Sequence, residues 1–315
     1  MLIYLAAALM LACEPVEPVV TFEEGTFEGF DVISYVPDEP IGLVFFFHGS
    51  GGSAGFATRI ETLDVINLLI QRGYGFIATE STQRTSPRRW RVNDPSLSDN
   101  DDLARLVRLH DHVVRSSPVT AQTPLFGVGM SNGARMVSLF GQSFSDAGYP
   151  IAAIVSVMGT VATPVRQAGG LTVPTLFIIA ENDTVVPNAQ ILRDRDQTMA
   201  NGVTTALLTK DEELLVDWRF TRIPSINADD ALAIIEAAVM TGAWNSEGIR
   251  QVPVSSAQLL LRESRLPASV SGDVNEVLAQ FGNILAVHQF SALYREQIAD
   301  FFDGQNALFP MALTP

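Results

Sequence analysis

Cysteine and histidine are scarce in this chain of 315 residues, which has one cysteine and four histidines. A single cysteine cannot form a disulfide within the chain, and it cannot supply a cysteine-cluster metal site. The histidines are too widely separated in sequence to form an obvious set of metal ligands: His48, His110, His112 and His288. We therefore expect chemistry that uses no metal and no cofactor.

Basic residues are also few, with 20 Lys and Arg against 35 Asp and Glu, so the formal net charge is −15 at pH 7. A field of this sign repels phosphate backbones, and we do not expect nucleic acid as a partner. Charged residues make up only 17% of the chain and hydrophobic residues 47%. This balance is typical of a folded protein with a large core and argues against disorder or a coiled coil.

An apolar run occupies residues 2–12 and ends at Cys13, after which the chain becomes acidic and proline-rich. Eleven residues are too few for a helix that crosses a bilayer, which needs about 20. The run suits the hydrophobic region of a secretory signal, and Ala12 before Cys13 resembles the processing site of bacterial lipoproteins, although no Lys or Arg precedes it. The sequence predicts export, either to the cell envelope with membrane attachment through a lipid on Cys13 or to the extracellular space. The alternative is a buried amino-terminal strand or helix with an inert cysteine.

Strand and helix patterns alternate from Val19 to about Gly202, which predicts an α/β fold with a mostly parallel sheet flanked by helices. The predicted strands are Val19–Phe22 and Phe30–Tyr35, as an opening hairpin, then Gly42–Phe47, Gly75–Thr79, Pro124–Val128, Ile151–Met158 and Pro174–Ala180. The predicted helices of this part are Ile60–Gln71, Asp101–Arg115 and Asn132–Gln142. A helical pattern broken by proline and glycine follows, from about Thr205 to Val270, and includes a helix over Asp229–Thr241.

These patterns divide the chain into four predicted segments. Residues 1–18 form the signal segment and an acidic, proline-rich spacer, and residues 19–204 form the α/β core. Residues 205–270 form a late helical cap insertion, and residues 271–315 complete the core.

Residues 129–133 read Gly-Met-Ser-Asn-Gly, a G-x-S-x-G motif between a predicted buried strand and a predicted helix. In that context the serine occupies a sharp turn that exposes its oxygen at the amino end of the helix, and the small flanking residues let the two elements approach. Ser131 is thus a candidate nucleophile. The alternative is a plain glycine turn in which Ser131 caps the helix.

A serine nucleophile needs a base, and the base needs an orienting group. Asp183 follows the strand Pro174–Ala180, at the strand end where ligand chemistry occurs in open α/β sheets. Glu181 is a rival acid, and Asp183 could instead cap a helix. His288 is the one histidine after the acid, so a triad in the order serine, acid, histidine requires it.

A glycine-rich loop, residues 48–52 (His-Gly-Ser-Gly-Gly), follows a predicted buried strand. Such a loop can aim backbone N–H groups at one point, and we expect the N–H of Asn132 and that of Ser50 or Gly51 to form an oxyanion hole. No dinucleotide or P-loop phosphate-binding motif is present in the sequence. His48 is expected to brace this loop rather than to act as a base.

With these elements in this order, the chain resembles the α/β-hydrolase superfamily over about Val19–Gly202 and Val277–Phe302. Four motifs are similar to the polyhydroxybutyrate depolymerase and feruloyl esterase group: His48–Ser53, Arg89-Trp90, Asn100–Leu103 and Gly129–Gly133. The resemblance implies hydrolysis of small-molecule or polymeric carboxylic esters through an acyl-serine. It implies Ser131 as nucleophile, His288 as general base and then acid, and Asp183 as its orienting group. Ala134 departs from the second glycine that members often carry.

Trp90 and Met130 are the predicted substrate-binding residues. Four further residues either line an acyl or aromatic site or form the core of the cap: Trp218, Phe220, Met240 and Trp244. Two other functions use the same fold. One is a peptidase or amidase with the same triad, and the other is a non-catalytic surface lipoprotein.

Overall fold

The computed structural model describes residues 15–263 and 266–308. The predicted signal run and the predicted lipidation site, Cys13, lie outside these ranges. The chain folds as two compact units. Of the described residues, 18–212 and 285–308 form one unit, which we call the sheet unit, and 15–17 and 213–284 form the other, which we call the helical unit.

The sheet unit is built on one eight-stranded, mostly parallel sheet. Its strands are β1 (Glu23–Phe27), β2 (Phe30–Tyr35), β3 (Gly42–Phe47), β4 (Tyr74–Thr79), β5 (Leu125–Met130), β6 (Ile151–Val157), β7 (Thr175–Ala180) and β8 (Thr205–Lys210). Their order across the sheet is β1-β2-β4-β3-β5-β6-β7-β8. β2 pairs antiparallel with β1 and β4, and all the other pairs are parallel. This architecture confirms the predicted fold class.

Helices follow most of the strands. Those of the described ranges are α1 (Ile60–Gln71), α2 (Asp101–Ser116), α3 (Asn132–Asp146), α4 (Thr163–Gln167), α5 (Asn188–Ala200), α6 (Trp218–Thr221), α7 (Ala228–Met240), α8 (Val254–Glu263), α9 (Val274–Ile284) and α10 (Arg295–Asn306). Helices α6 to α9 belong to the helical unit and the rest to the sheet unit. None of them, within the part of the chain described, has the length and apolar composition of a membrane span.

The sheet has a core on each face because successive side chains of a strand point to opposite sides. Val44 and Phe46 of β3 join the cluster that includes residues of α1 and α10, and Phe45 and Phe47 join the cluster that includes residues of α2 and α3. Every residue of β3 is buried. Burial on both faces explains why this strand is a continuous apolar run without alternation.

Several element boundaries agree closely with the sequence pattern. Strand β3 and helix α1 have the predicted limits, and α2 and α3 begin at the predicted residues. At the start of α2, the Asn100 side chain accepts hydrogen bonds from the N–H groups of Asp102 and Leu103, at 3.1 and 3.4 Å. This cap satisfies two of the N–H groups that the first turn leaves without acceptors.

Two predictions about the edges of the sheet were wrong. The first strand is Glu23–Phe27 rather than Val19–Phe22, and Thr205–Lys210 is a strand parallel to β7 rather than the start of the helical segment. β1 is mostly exposed and β8 is mostly half-buried, so neither carries the hydrophobic signal of an inner strand. Pairing with a neighbouring strand, which is a tertiary contact, forms both.

A cluster of ionic contacts joins α1 to α10. The guanidinium of Arg72, the residue after α1, lies 2.8 Å from the carboxylate of Glu296, 2.6 Å from that of Asp300 and 2.7 Å from that of Asp303. The hydroxyl of Tyr74 donates a further hydrogen bond to Asp303, at 2.8 Å. One cation thus offsets the mutual repulsion of three carboxylates on the same helix.

The helical unit has its own aromatic core. The rings of Phe220 and Trp244 lie 5.0 and 5.7 Å from the ring of Phe281, and all three side chains are buried. Met240 is 87% exposed. Phe220 and Trp244 therefore follow the prediction that these residues form the core of the segment, whereas Met240 lies on its surface.

Candidate active site

Ser131 lies on the sharp turn between β5 and α3, with φ 58° and ψ −117°. A positive φ is strained for a residue other than glycine and is found where the surrounding structure enforces it. Here the backbone N–H of Ser131 donates to the carbonyl of Val157 in β6, at 2.9 Å. The turn leaves the serine half-buried at the amino end of α3.

The two glycines of the G-x-S-x-G motif are required by close backbone contacts. A Cβ on Gly129 would lie 2.1 Å from the carbonyl oxygen of Gly133, and a Cβ on Gly133 would lie 2.1 Å from that of Phe47. Gly159 was not predicted, but it has the same role, since its Cβ would lie 2.4 Å from the Cβ of Ala134. In the sequence, the only indication of this role is that Gly159 lies just after a strand, β6.

Asp183 and His288 are in direct contact, with Nδ1 of His288 2.8 Å from Oδ2 of Asp183. The other carboxylate oxygen accepts the N–H groups of Val185 and Val186, at 2.8 and 3.1 Å. Burial raises the pKa of Asp183, but the hydrogen bonds from His288, Val186 and Val185 outweigh it and hold this pKa below its usual value. Asp183 rather than Glu181, the rival acid, is therefore the ionised partner of the histidine.

The contact with Asp183 fixes the state of the imidazole. An ionised carboxylate only accepts hydrogen bonds, so we assign the proton of His288 to Nδ1, which leaves Nε2 with its lone pair. Nε2 is buried and has no hydrogen-bond partner within the described ranges. An oriented imidazole with an unused acceptor nitrogen can take a proton from a hydroxyl.

The segment that carries His288 is tied to the end of β7. The N–H of Asn182 donates to the carbonyl of Ala286 at 3.0 Å, and its side-chain amide donates to that of Leu285 at 2.9 Å. Ser131 follows β5 and Asp183 follows β7, and β5, β6 and β7 are parallel. All three predicted triad residues therefore belong to the carboxyl-terminal edge of one sheet.

His48 braces the glycine-rich loop, as predicted. It is 1% exposed, its Nδ1 lies 2.7 Å from the carbonyl oxygen of Gly49, and its Nε2 accepts the N–H of Ser81 at 3.2 Å. Burial lowers the pKa of His48. The ring is therefore neutral at pH 7 and ties the glycine-rich loop, at Gly49, to the chain after β4, at Ser81.

Backbone contacts decide between the two N–H groups predicted for this loop. The N–H of Gly51 donates to the carbonyl of Arg88, at 2.7 Å. The N–H groups of Ser50 and Asn132 have no acceptor among the described residues. Ser50 and Asn132 therefore offer the unused donors.

Trp90 is buried and is hydrogen-bonded to both the glycine-rich loop and Asn132. It is 2% exposed, its indole N–H donates to the carbonyl of His48 at 2.9 Å, and its backbone N–H donates to Oδ1 of Asn132 at 2.7 Å. A side chain this buried offers little surface to a substrate, and the substrate-binding role of Trp90 stays a prediction. Met130 is half-buried and packs against the core cluster on the α1 and α10 face.

Asp102 belongs to the motif Asn100–Leu103, but its supporting role was not predicted from the sequence. It is fully buried, and its two carboxylate oxygens accept the N–H groups of Thr82 and Arg91, both at 2.6 Å. These bonds hold the loop after β4 that carries Trp90. The motif Asn100–Leu103 was its signal in the sequence.

No family model matches the chain, and no curated protein matches it. Among solved structures, it is similar to an esterase of Pyrobaculum calidifontis in a monoclinic form, with 15% identity over 62% of this chain and 77% of that one and a TM-score of 0.50. It is also similar to an arylesterase, with 15% identity over 63% and 79% and a TM-score of 0.47. A third similar structure is a protein of Butyrivibrio proteoclasticus with ferulic acid bound, with 14% identity over 61% and 90% and a TM-score of 0.43. The sheet topology and the first of these similarities show that the chain has the α/β-hydrolase fold.

Proposed function

We propose that this protein hydrolyses carboxylic esters through an acyl intermediate on Ser131. The observation that carries the proposal is the pair formed by Asp183 and His288, in which Nδ1 is held at 2.8 Å and Nε2 is left without a partner among the described residues. A base in this state supplies what a serine on a strained strand-to-helix turn needs to become a nucleophile.

In the first half-reaction, Nε2 of His288 takes the hydroxyl proton of Ser131, and the Oγ atom of Ser131 attacks the ester carbonyl carbon. Asp183, ionised and buried, stabilises the imidazolium that forms. The N–H groups of Ser50 and Asn132 donate hydrogen bonds to the oxyanion of the tetrahedral intermediate. His288 then gives the proton to the leaving alkoxide, and the acyl group stays on Ser131.

In the second half-reaction, a water molecule loses a proton to His288 and attacks the acyl carbon. Collapse of the second tetrahedral intermediate releases the acid and returns the proton to Ser131. For the substrate, we propose a small-molecule or polymeric ester. The support is the similarity of the motifs to those of polyhydroxybutyrate depolymerases and feruloyl esterases.

The test is hydrolysis of p-nitrophenyl esters from acetate to palmitate, with one aromatic acyl ester, by the chain without residues 1–13. We expect turnover by the wild type and none above background by Ser131→Ala. A fluorophosphonate probe should label the wild type only. No turnover and no labelling of the wild type would refute the proposal and favour a non-catalytic protein, and turnover of amides alone would favour an amidase.

The acid is tested separately by Asp183→Asn, with Glu181→Gln as its matched control. An amide at residue 183 can hold the imidazole in the wrong tautomer, so we expect kcat to fall by roughly 10³–10⁴-fold. Glu181 is exposed and does not contact His288, and its variant should keep full turnover. Similar losses in both variants would contradict the assignment of Asp183.

We also propose that the protein is exported, as a lipoprotein anchored through Cys13 or as an extracellular enzyme. The support is the apolar run of residues 2–12 directly before the only cysteine. Cell fractionation tests the anchor, because Cys13→Ser should move a lipoprotein out of the membrane fraction. An unprocessed chain in the cytoplasm would refute export.

A further inference from the structure

An arginine-rich cavity of about 670 Å³ opens in the sheet unit, apart from the proposed ester site. It lies between the start of β2, the loop after β4 and helix α2. Neither Ser131 nor Asp183 nor His288 lines it. Its charged lining consists of four arginines and three acids: Arg89, Arg91, Arg105 and Arg108, with Glu28, Asp101 and Asp102.

Arg105 is a buried cation that no carboxylate contacts directly. Asp102, Glu28 and Glu80 lie near enough to favour its charged form, and its guanidinium carbon lies 4.5 Å from the centre of the Phe30 ring. Its side chain is 1% exposed, and two guanidinium nitrogens donate to the Thr79 hydroxyl, at 3.0 Å, and to the carbonyl of Glu80. Nε has no acceptor, and no carboxylate lies within 4.0 Å of the guanidinium, among the residues that the structure describes. Burial lowers the pKa of Arg105 to about 10. The unused donor of this buried guanidinium would gain a partner from an anion in direct contact.

The acids of the lining already have partners. Glu28 holds Arg108 through two contacts of 2.6 and 2.8 Å, and Asp102 accepts two backbone N–H groups. Asp101 lies 3.9 Å from Arg91. None of these carboxylates is in contact with Arg105.

Arg89 is the second unused cation of the cavity. It is exposed, and it makes no ion pair or side-chain hydrogen bond with any residue in the described ranges. Two guanidinium groups, one buried and one at the surface, thus line the same cavity with no carboxylate in direct contact among the described residues. This is unexpected in a chain of net charge −15, where acidic partners are abundant.

We propose that this cavity is a binding site for a small oxyanion, a carboxylate or phosphate group, held by Arg89 and Arg105. A guanidinium presents planar pairs of N–H donors that match the oxygens of both groups. The unused Nε–H of Arg105 supplies one such donor on the buried side, and the guanidinium of Arg89 donates to the anion from the solvent side.

An anion bound in this cavity would stabilise the loop after β4. Arg89 and Arg91 flank Trp90, whose N–H donates to the side chain of Asn132, and the carbonyl of Arg88 accepts the N–H of Gly51. An anion that holds the arginines therefore stabilises the backbone beside the proposed oxyanion donors. Anion binding in this cavity does not depend on the proposed ester hydrolysis and can be measured without an activity assay.

The test is isothermal titration calorimetry with inorganic phosphate and with succinate, at constant ionic strength, on the chain without residues 1–13. The variants are Arg89→Gln and Arg105→Gln. The matched control is Arg115→Gln, because Arg115 is exposed on the same helix as Arg105 and does not line the cavity. We expect saturable binding of at least one anion to the wild type and to the control.

Loss of one charge-assisted contact should weaken binding by about tenfold or more in Arg89→Gln, and Arg105→Gln should abolish it. If Arg105→Gln does not fold, the exposed variant Arg89→Gln decides the question. The preference for phosphate or succinate identifies the group that the site takes. No saturable binding of either anion to the wild type, or equal affinity in the wild type and Arg89→Gln, would overturn the proposal.

Discussion

Replacing Gly133 by alanine should disrupt both the fold and the activity, because the added methyl group would enter space held by backbone atoms. Its Cβ would lie 2.1 Å from the carbonyl oxygen of Phe47 and 2.6 Å from that of His48, whereas ordinary contact begins at 3.4 Å. The start of α3 and the end of β3 would have to separate by more than about 1 Å. Neither neighbour is a flexible side chain that could rotate away.

The cost follows from where these atoms lie. β3 is paired on both sides, with β4 and β5, so its end cannot shift without breaking ladder hydrogen bonds. Overpacking of a core costs about 1–3 kcal/mol, and we expect Gly133→Ala to lose at least the upper value. A displacement of about 1 Å at the nucleophile should reduce turnover by roughly 100-fold or more.

The same substitution at Gly304 is the matched control, since it makes the identical chemical change in another helix. Gly304 is exposed in α10, and a Cβ there would meet no atom within 4 Å. Gly304→Ala should raise the free energy of unfolding by about 0.5–1 kcal/mol, because alanine loses less backbone entropy in a helix. Urea unfolding and p-nitrophenyl ester turnover measure both effects. If Gly133→Ala unfolds at the wild-type urea concentration and keeps its turnover, the close approach of α3 to β3 is refuted.

Two further predictions concern stability. Burial holds the pKa values of His48 and His110 below 6.5, so the unfolded chain binds more protons than the folded chain as the pH falls. The free energy of unfolding should therefore decrease below about pH 6.5. The decrease should reach at most about 1.4 kcal/mol per pH unit for each histidine. In urea titrations at several pH values, His110→Gln should reduce the dependence of the free energy of unfolding on pH. His112→Gln, at an exposed position, should leave this dependence unchanged. The same pH dependence in the wild type and in both variants would contradict the prediction for His110. Arg72→Met should lower the free energy of unfolding by about 1–2 kcal/mol, less at high salt, because three carboxylates of α10 lose their shared cation. Arg195→Met, which loses one contact with the adjacent residue, should have a smaller effect, and equal losses would count against the cluster.

Much of the inner sheet and of the candidate site could be read from local patterns. The continuous apolar run of β3 indicates burial on both faces, and the motif at residues 129–133 indicates a strand-to-helix turn. Chain order alone selected His288, because no other histidine follows the acid. These inferences succeed because periodicity, glycine requirements and residue order are properties of short segments.

The edges of the sheet and the choice among neighbouring donors depended on tertiary contacts. Sequence spacing left Asp183 and Glu181 as rivals, and the path of the chain after β7 decided between them, since Asp183 is the one that meets Nδ1 of His288. From the sequence, the N–H of Gly51 was as good a candidate oxyanion donor as that of Ser50. In the structure it donates to the carbonyl of Arg88, in the loop after β4, and is therefore already used.

Sequence by itself thus determined the α/β class, the inner strands and the identity of the candidate serine, acid and histidine. Only the tertiary structure decided that Trp90 is buried, that Thr205–Lys210 completes the sheet, and that no carboxylate contacts Arg105 directly in the cavity that it lines. The physical reason is common to all three. Burial, strand pairing and charge compensation depend on residues distant in the chain, and no local pattern records which of them will meet.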